Sequence, residues 1–305
     1  MCYVVRVHVV GVDENGLGPR LGPLIATAAT IEVKRYDREK LAALASEAGI
    51  GDSKQTSAFG KMAEAESLVL AVFEDAEQRA PTHFDDLLEG MALDGPLILR
   101  NRCPGGQTES QCWSAAMPLP AFGGSLERGR EMLGSLRKGG VRVKRVRTQI
   151  ACAAFINDAL AAGESKLKVD LGLFERLVLD ARRATGHDLT AICGMVGGIR
   201  SYQNYFRHFA KPKALRDACA YAVPDVGEVR FEVKADDRHL PVALASMVGK
   251  VMRELAMARI VRFYQGHDKS LRDVSGYHDP VTAGFVYSTT KLRKRLRIVG
   301  ECFER

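Results

Sequence analysis

Two adjacent acidic residues near the start of the chain are the first candidates for chemistry. Asp13 and Glu14 follow a valine-rich stretch, and glycines stand close behind them at positions 16, 18 and 22. Neighbouring carboxylates that are partly buried repel each other, so this pair indicates a cation between them. Mg²⁺ fits, because proteins hold it by one or two carboxylates together with phosphate oxygens of a substrate. The glycines would let a sugar-phosphate backbone approach closely.

The segment also allows two other interpretations. The glycine spacing is close to that of a dinucleotide-binding loop, but the third glycine comes one residue late and Pro19-Arg20 replace the start of a helix. An ordinary glycine-rich turn with acidic residues on the surface stays open.

A second group of polar residues lies far downstream. Asp236 and Asp237 end a predicted strand, and a helix rich in small residues follows. Ser246, Lys250 and Arg253 are three or four residues apart, so they share one face of that helix. The sequence therefore predicts a carboxylate beside a polar and basic helix face, although a capped surface helix accounts equally well for the pattern.

The elements that must position these residues alternate between strands and helices. Residues 3–12 and 24–33 predict a β-hairpin, and further strands are predicted at 189–193 and 228–234. Helices are predicted at residues 38–48, 57–78, 148–162, 173–185 and 242–264. This order favours an α/β fold with a mixed central sheet flanked by helices.

Residues 81–140 lack a regular period and predict an inserted subdomain or lid. We accordingly divide the chain into a first core part at residues 1–80 and an insertion at 81–147. The second core part spans 148–305 and includes a basic helical region.

Composition and charge narrow the class of protein. The 305 residues are 46% hydrophobic and 27% charged, which is typical of a globular protein and excludes collagen-like, disordered and membrane proteins. No signal peptide is recognisable, so we expect a cytoplasmic protein. Seven cysteines without a Cys-x-x-Cys pair indicate reduced thiols, and Cys103 and Cys112 lack the spacing of a zinc site.

Positive charge is concentrated in two places. The net charge is +7, and residues 141–147 and 291–297 carry most of the excess. Clustered positive charge indicates a polyanionic partner, most simply nucleic acid. A solvated surface is the competing interpretation.

Taken together, the motifs resemble a known family. Asp13-Glu14-x-Gly16-x-Gly18-Pro19, then Asp52-Ser53-Lys54, then Lys234-Ala235-Asp236, then Ala-Ser246-x-x-x-Lys250-Val-x-Arg253 follow the order of motifs in ribonuclease HII, the type 2 ribonuclease H. Gly276-Tyr277 matches the Gly-Tyr segment of that family. The resemblance covers about residues 4–57 and 151–280.

The resemblance implies a ribonuclease H-like fold and an endoribonuclease. Such an enzyme cleaves the RNA strand of RNA–DNA hybrids, or ribonucleotides embedded in DNA, with two divalent cations. It implies that Asp13, Glu14 and Asp236 are catalytic metal ligands for Mg²⁺ or Mn²⁺. The nucleic acid would be the partner of a monomer that does not bind membranes.

The resemblance also implies the residues that contact substrate. Gly16, Leu17, Gly18 and Arg20 would lie near the ribose, and further contacts are expected from Lys54, Arg200, Ser246, Lys250 and Arg253. The family has an arginine where this chain has Leu17, and Arg20 is close enough to compensate. Tyr264 or Tyr277 would stand for the tyrosine that stacks near the substrate sugar. Arg200 belongs to a glycine-rich stretch, residues 194–202, that is either a phosphate-contacting loop or a helix-entry turn.

One feature of the family is missing. Its third carboxylate should follow a strand immediately before a glycine, and residues 191–198 contain no acid there. Cys193 is an auxiliary candidate, but a soft thiolate suits zinc better than magnesium. Asp170, Asp188, Asp237 and Glu254 are the other acids that could supply charge from nearby.

The missing acid keeps other functions open. One is a nucleic-acid-binding protein that retains the scaffold with weakened catalysis or none. Another is a nuclease that acts on structured DNA, with the insertion selecting the substrate.

Overall fold

A computed structural model describes residues 6–51, 62–199, 201–216 and 219–305. These residues form seven strands: β1 (Val7–Asn15), β2 (Leu24–Val33), β3 (Arg142–Ala151), β4 (Leu189–Gly194), β5 (Lys213–Ala214), β6 (Ala220–Val223) and β7 (Gly227–Glu232). They pair into one sheet in the order β3-β2-β1-β4-β7-β6-β5. The β1–β4 and β4–β7 pairs are parallel, whereas the others are antiparallel. The predicted mixed sheet is confirmed.

Helices cover the sheet. Within the described residues they are α1 (Arg38–Glu47), α2 (Ala63–Glu77), α3 (Phe84–Met91), α4 (Pro96–Arg100), α5 (Leu126–Lys138), α6 (Ala153–Ala161), α7 (Lys166–Thr185), α8 (Ala235–Arg238), α9 (Leu240–His267), α10 (Pro280–Ser288), α11 (Thr290–Arg295) and α12 (Gly300–Phe303). None of these helices is both long and apolar enough to cross a membrane.

Alternation along the central strands builds two cores. Val9 and Ile25 belong to a buried cluster with α2, α5 and α9. Val10 and Leu24 belong to a second cluster with α7. Successive strand residues point to opposite faces, so the hairpin predicted from the valine-rich segments supplies both cores.

Capping residues and a proline set where the two helices nearest the site, α7 and α9, begin or end. The Ser165 hydroxyl accepts a hydrogen bond from the Lys168 amide at 3.2 Å, and α7 ends at Gly186 in the left-handed conformation. A proline in its first turn starts α9, which runs for 28 residues and is buried along most of its length. A Cβ on Gly11 would lie 2.1 Å from the Pro241 carbonyl carbon, so β1 and α9 meet backbone to backbone.

The helix predicted at 173–185 begins seven residues earlier, at Lys166. Three further predicted elements differ from the structure. β1 continues to Asn15 because Asp13 and Glu14 pair with Thr27 and Ala26 of β2. The helix predicted at 148–162 begins only at Ala153. Residues 148–151 belong to β3, where pairing with β2 decides the conformation.

The third difference concerns Asp236. It does not end a strand, because β7 stops at Glu232, and it lies in the short helix α8. Lys234 takes the left-handed conformation before that helix, with φ of 51°.

The segment predicted as an insertion is closely packed against the rest of the chain. Met132 and Leu136 of α5 are buried in the same core as α9. The boundary predicted after Arg147 falls inside β3. Beside that strand lies a cavity of about 70 Å³, lined by Trp113 and by four cysteines (Cys103, Cys112, Cys152 and Cys302) among other residues. The Trp113 ring is 4.8 Å from the Arg100 guanidinium carbon and 5.7 Å from that of Arg259.

Candidate active site

The carboxyl ends of three parallel strands meet at one edge of the sheet. β1 ends after Asp13 and Glu14, β4 ends at Gly194, and β7 ends at Glu232. Gly194 and Glu232 are directly opposite in the strand register. Open α/β sheets bind ligands at such edges, so this is the place where a site is expected.

Asp13 and Glu14 face the backbone of Gly194. A Cβ built on Gly194 would lie 2.4 Å from Asp13 Oδ1 and 3.7 Å from Glu14 Oε2. A side chain at position 194 would therefore displace Asp13. Next to it, Cys193 is fully buried, and burial together with Asp13 and Glu14 raises the pKa of its thiol. The thiol remains protonated near neutral pH, so it does not replace the missing carboxylate.

Asp170 brings a further acidic group to this edge from α7. The side chain is completely buried, and neither carboxylate oxygen has a hydrogen-bond partner among the described residues. Burial raises the pKa of Glu14 most, and Asp170, Asp13 and Asp236 raise it further. The negative charge of Asp170, on the neighbouring helix α7, thus helps to raise the pKa of Glu14.

The other candidates for the missing acid are placed differently. Asp188 and Asp237 are exposed, and Asp188 is 3.3 Å from Arg182. Glu254 is buried and accepts hydrogen bonds from Lys250 and Arg253. Of the four acidic candidates, Asp170 is the one whose charge acts on Glu14.

Asp236 reaches the same edge from α8. Its charge is among those that raise the pKa of Glu14. His239, which follows α8, is held by the Tyr36 hydroxyl at 2.8 Å from Nδ1 and by Glu232 at 3.0 Å from Nε2. Because the imidazole is buried and bonded on both sides, it fixes α8 between β7 and α9.

The chemistry of these side chains suits a hard divalent cation. Asp13 and Glu14 offer carboxylate oxygens that face the same point, and the unpartnered oxygens of Asp170 add negative charge. Within the described ranges, no group of three or more His, Cys, Asp or Glu side chains is arranged to hold a metal ion. Two carboxylates are enough for Mg²⁺ when a substrate phosphate completes its coordination, so the pair fits the ion in that mode.

The glycine loop, residues 16–22, leaves the edge directly after the acids. Gly16 has φ of +93°, and a Cβ there would lie 2.9 Å from the Arg253 side chain. Leu17 packs on the core beside α7. Gly18 is exposed, and a Cβ there would meet no atom within 4 Å. The guanidinium of Arg20 is engaged by Glu304, with Nε 2.5 Å from the carboxylate. The open face of the loop is therefore at Gly18.

The polar face of α9 lies along this loop. The Asn15 side chain donates to the Ser246 carbonyl at 3.2 Å. Lys250 Nζ is 2.9 Å from Glu254 and 5.9 Å from the centre of the Tyr277 ring. The polar face of α9 thus contacts the end of β1 through Asn15, while Lys250 lies between Glu254 and Tyr277.

Arg253 differs from its predicted role. It is completely buried, donates to the Ser275 carbonyl at 2.8 Å and lies 4.9 Å from the Tyr277 ring centre. It supports the glycine loop from behind and does not face a phosphate. Ser246 is also buried.

Several predicted residues lie elsewhere. Tyr264 is a core residue whose hydroxyl donates to Gln111 at 2.7 Å, whereas Tyr277 is 42% exposed beside Lys250. Lys54 and Arg200 lie outside the described residues.

The chain is similar in structure to type 2 ribonucleases H. Ribonuclease HII of Archaeoglobus fulgidus, solved with PCNA, is 17% identical over 97% of this chain and 93% of that one, with a TM-score of 0.48. Ribonuclease H2 of Pyrococcus horikoshii OT3 is 14% identical over 97% and 92%, with a TM-score of 0.47.

A third solved structure is Bst-RNase HIII in complex with Mn²⁺, which is 14% identical over 93% of this chain and 71% of that one, with a TM-score of 0.42. No family model and no curated protein matches the chain. Because all three TM-scores are below 0.5, the function is inferred from the residues of the site.

Sequence reasoning missed three residues at this edge. Glu232 lies within the strand predicted at 228–234 and is the last residue of β7, so its place near a strand end was the available signal. His239 has no sequence signal, because its role depends on Tyr36 and Glu232 being folded around it. Arg305 is likewise unpredictable, yet its guanidinium donates to the Gly16 carbonyl.

Proposed function

We propose that the protein is a metal-dependent endoribonuclease that cleaves the RNA strand of RNA–DNA hybrids, or ribonucleotides embedded in DNA. The observation that carries the proposal is the pair Asp13 and Glu14, which face Gly194 beside an open glycine loop, with the charge of Asp236 acting on Glu14. The order of motifs in the sequence supports the same activity. Lys250 supports it as well, because its partly exposed side chain offers a positive charge on α9, the helix that packs against the end of β1.

Different residues of the chain would bind the metal ion, the phosphate backbone and the ribose. Asp13 and Glu14 would hold Mg²⁺ or Mn²⁺, with Asp236 as a further ligand. When bound, the cation lowers the pKa of a water and neutralises charge on the scissile phosphate. Lys250 would attract the phosphate backbone. The exposed backbone at Gly18 is placed to meet the ribose 2′-hydroxyl, the group that distinguishes RNA from DNA.

Cleavage of defined duplexes tests the proposal. Wild-type protein with Mg²⁺ or Mn²⁺ should nick a hybrid and a DNA duplex containing one ribonucleotide. Asp13→Asn should lower kcat/KM by about 1000-fold or more, equivalent to roughly 4 kcal/mol of transition-state stabilisation. Its thermal unfolding temperature should stay unchanged or rise slightly, because removing one of two crowded acids relieves repulsion.

Asp188→Asn is the matched control. Its carboxylate is 78% exposed, and the same chemical change should leave cleavage unaltered. No cleavage by the wild type with either metal, even at high protein concentration, would reject the proposal.

A second candidate function is nucleic-acid binding without turnover. Cys193 at the position of the missing acid, and the absence of a three-residue metal group in the described part of the chain, favour it. Gel-shift binding of the same duplexes without any nicking would support this candidate instead.

We further propose that the protein works as a monomer in the cytoplasm. Sedimentation of the free protein and of its complex with a duplex would test the monomer, and fractionation of cells would test the location.

A further inference from the structure

Residues 300–305 lie across the glycine loop, and we call them the strap. Glu304 forms an antiparallel bridge with Leu21. The Arg305 amide donates to the Arg20 carbonyl at 3.2 Å, and Arg20 Nε in turn donates to Glu304 at 2.5 Å. The Arg305 guanidinium donates to the Gly16 carbonyl. The strap therefore contacts the loop at its start and near its end.

The strap is itself firmly anchored. The Asn157 side chain on α6 donates to the carbonyls of Glu301 and Glu304 at 2.8 Å and 2.7 Å. Gln111 donates to the Cys302 carbonyl at 2.8 Å. Phe303 is buried in a cluster with Leu21. Because these anchors belong to separate elements, the strap can transmit their rigidity to the loop.

The opposite side of the loop is held as well. The amides of Arg20 and Leu21 donate to the Gly276 carbonyl at 2.8 Å and 2.9 Å. The Arg253 side chain fills the space beside Gly16. Only at Gly18, among the residues of the loop, is the backbone both exposed and free of close neighbours around the Cβ position. The loop is thus fixed from behind and open towards a substrate.

Arg305 is placed to hold the loop and not to contact a phosphate. Its Nε and Nη1 atoms are buried and have no hydrogen-bond partner among the described residues, while Nη2 binds Gly16. Burial lowers the pKa of the guanidinium to about 10, so it still carries its charge at neutral pH. A charged donor makes a stronger hydrogen bond to a carbonyl than a neutral one.

We propose that the strap sets the conformation of residues 16–18 and that Arg305 is a positioning residue for ribonucleotide recognition. The recognition half rests on the function proposed above. Glycines lose much conformational freedom on ordering, so a loop containing Gly16, Gly18 and Gly22 needs an external brace to present its backbone in one arrangement. The strap supplies that brace. Within it, Arg305 holds Gly16, which directly follows Asp13, Glu14 and Asn15.

Two measurements on the metal-free protein test the proposal. In Arg305→Ala, hydrogen exchange of the amides at 16–22 should accelerate by about tenfold, which corresponds to about 1.4 kcal/mol of lost local stability. The ratio of affinities for a duplex with one embedded ribonucleotide and for an all-DNA duplex should fall by a similar factor. The affinity for all-DNA duplex should stay at the wild-type value.

Further variants separate positioning from general structure. Arg305→Lys keeps the charge and one donor, so it should restore part of the affinity ratio. Glu304→Gln weakens the contact of the strap with Arg20 and leaves Arg305 in place. It should accelerate exchange at 16–22 and lower the affinity ratio, both by less than Arg305→Ala does. Arg183→Ala removes an exposed arginine at the end of α7 and should change neither. If Arg305→Ala does not fold, the lysine and glutamine variants decide the outcome.

The results distinguish this proposal from the proposed function. Unchanged exchange at 16–22 in Arg305→Ala overturns the strap. Accelerated exchange with an unchanged affinity ratio overturns the role in recognition. If the wild type neither nicks nor prefers ribonucleotide-containing duplexes, the proposed function fails, while the exchange measurement still decides whether the strap braces the loop.

Discussion

Asp170 is the acidic residue whose place in the site the structure shows and the sequence does not. At the position where the family resemblance implies a third carboxylate, immediately before Gly194, this chain has the fully buried Cys193. Asp170 instead brings negative charge from the adjacent helix, where nothing in the described residues donates a hydrogen bond to it. A carboxylate buried in this way destabilises the fold unless a cation offsets its charge.

Asp170→Asn should therefore stabilise the metal-free protein. Burial raises the pKa of Asp170 in the folded state, and Asp13 raises it further. A carboxyl group of this kind contributes its full stability below the unfolded pKa of about 4 and loses it as the pH rises through the folded value. We expect a gain of about 1–3 kcal/mol at pH 8, the cost of a buried polar group without a partner, and a smaller gain at pH 5.

Urea unfolding in EDTA between pH 5 and pH 8 measures this gain. Asp188→Asn, at an exposed carboxylate, should show no comparable pH-dependent difference from the wild type. A variant at position 170 that is less stable than the wild type at pH 8 would show that the carboxylate has a partner in solution.

At the scale of elements, the site depends on how closely α9 approaches the sheet. Gly11 meets the Pro241 backbone, and a Cβ on Gly249 would lie 2.6 Å from the Asn15 side chain. These contacts set the distance between the acids on β1 and Lys250 on α9. Substitutions at the contact should therefore affect both stability and the site.

Gly11→Ala should destabilise the protein by about 1–3 kcal/mol, because overfilling a packed core forces backbone shifts. Since α9 must move away from β1, binding of a nucleic-acid duplex should weaken too. Gly134→Ala is the control: that glycine lies in α5 with no atom within 4 Å of its Cβ position. It should gain about 0.5–1 kcal/mol from helix propensity. Urea denaturation compares the two, and equal effects would contradict the packing argument.

The sequence predicted those elements whose periodicity is strong. The β2 strand, α7, β4 and α9 follow from runs of apolar residues at the right spacing, and Asp13 and Glu14 from their position after a valine-rich strand. β3 was missed because its outward arginines and lysines hide the alternation of Val146, Thr148 and Ile150. Asp170 could be named as an acid but not placed. Arg305 could not be found, because its contact with Gly16 depends on packing across the whole chain.

For the whole molecule, the two basic runs have different roles. In β3, Arg145 pairs with Asp180 at 3.0 Å, and Arg147 donates to the carbonyls of Gly90 and Ala92. On α11, Lys291, Lys294 and Arg295 are exposed. The first run is thus partly used inside the fold, whereas the second keeps its charge available to a polyanion.

Removing the α11 charges should weaken duplex binding in a salt-dependent way. Each phosphate contact that is lost should reduce the slope of log affinity against log salt by about 0.9, so a triple alanine variant at 291, 294 and 295 should lose about 1–3 units of slope. Arg145→Ala should instead lower stability with little change in slope. Fluorescence anisotropy between about 50 and 200 mM salt tests this, and equal slopes for all three proteins would contradict it.

The chain contains one tryptophan, and its indole ring lies between two guanidinium groups, one of them on α9. Its emission spectrum therefore reports a single location. It is sensitive to the packing of the segment that follows α4 against the long helix α9. Titration with denaturant can follow that docking optically without any added label. The same signal shows whether the inserted region separates before the rest of the molecule unfolds.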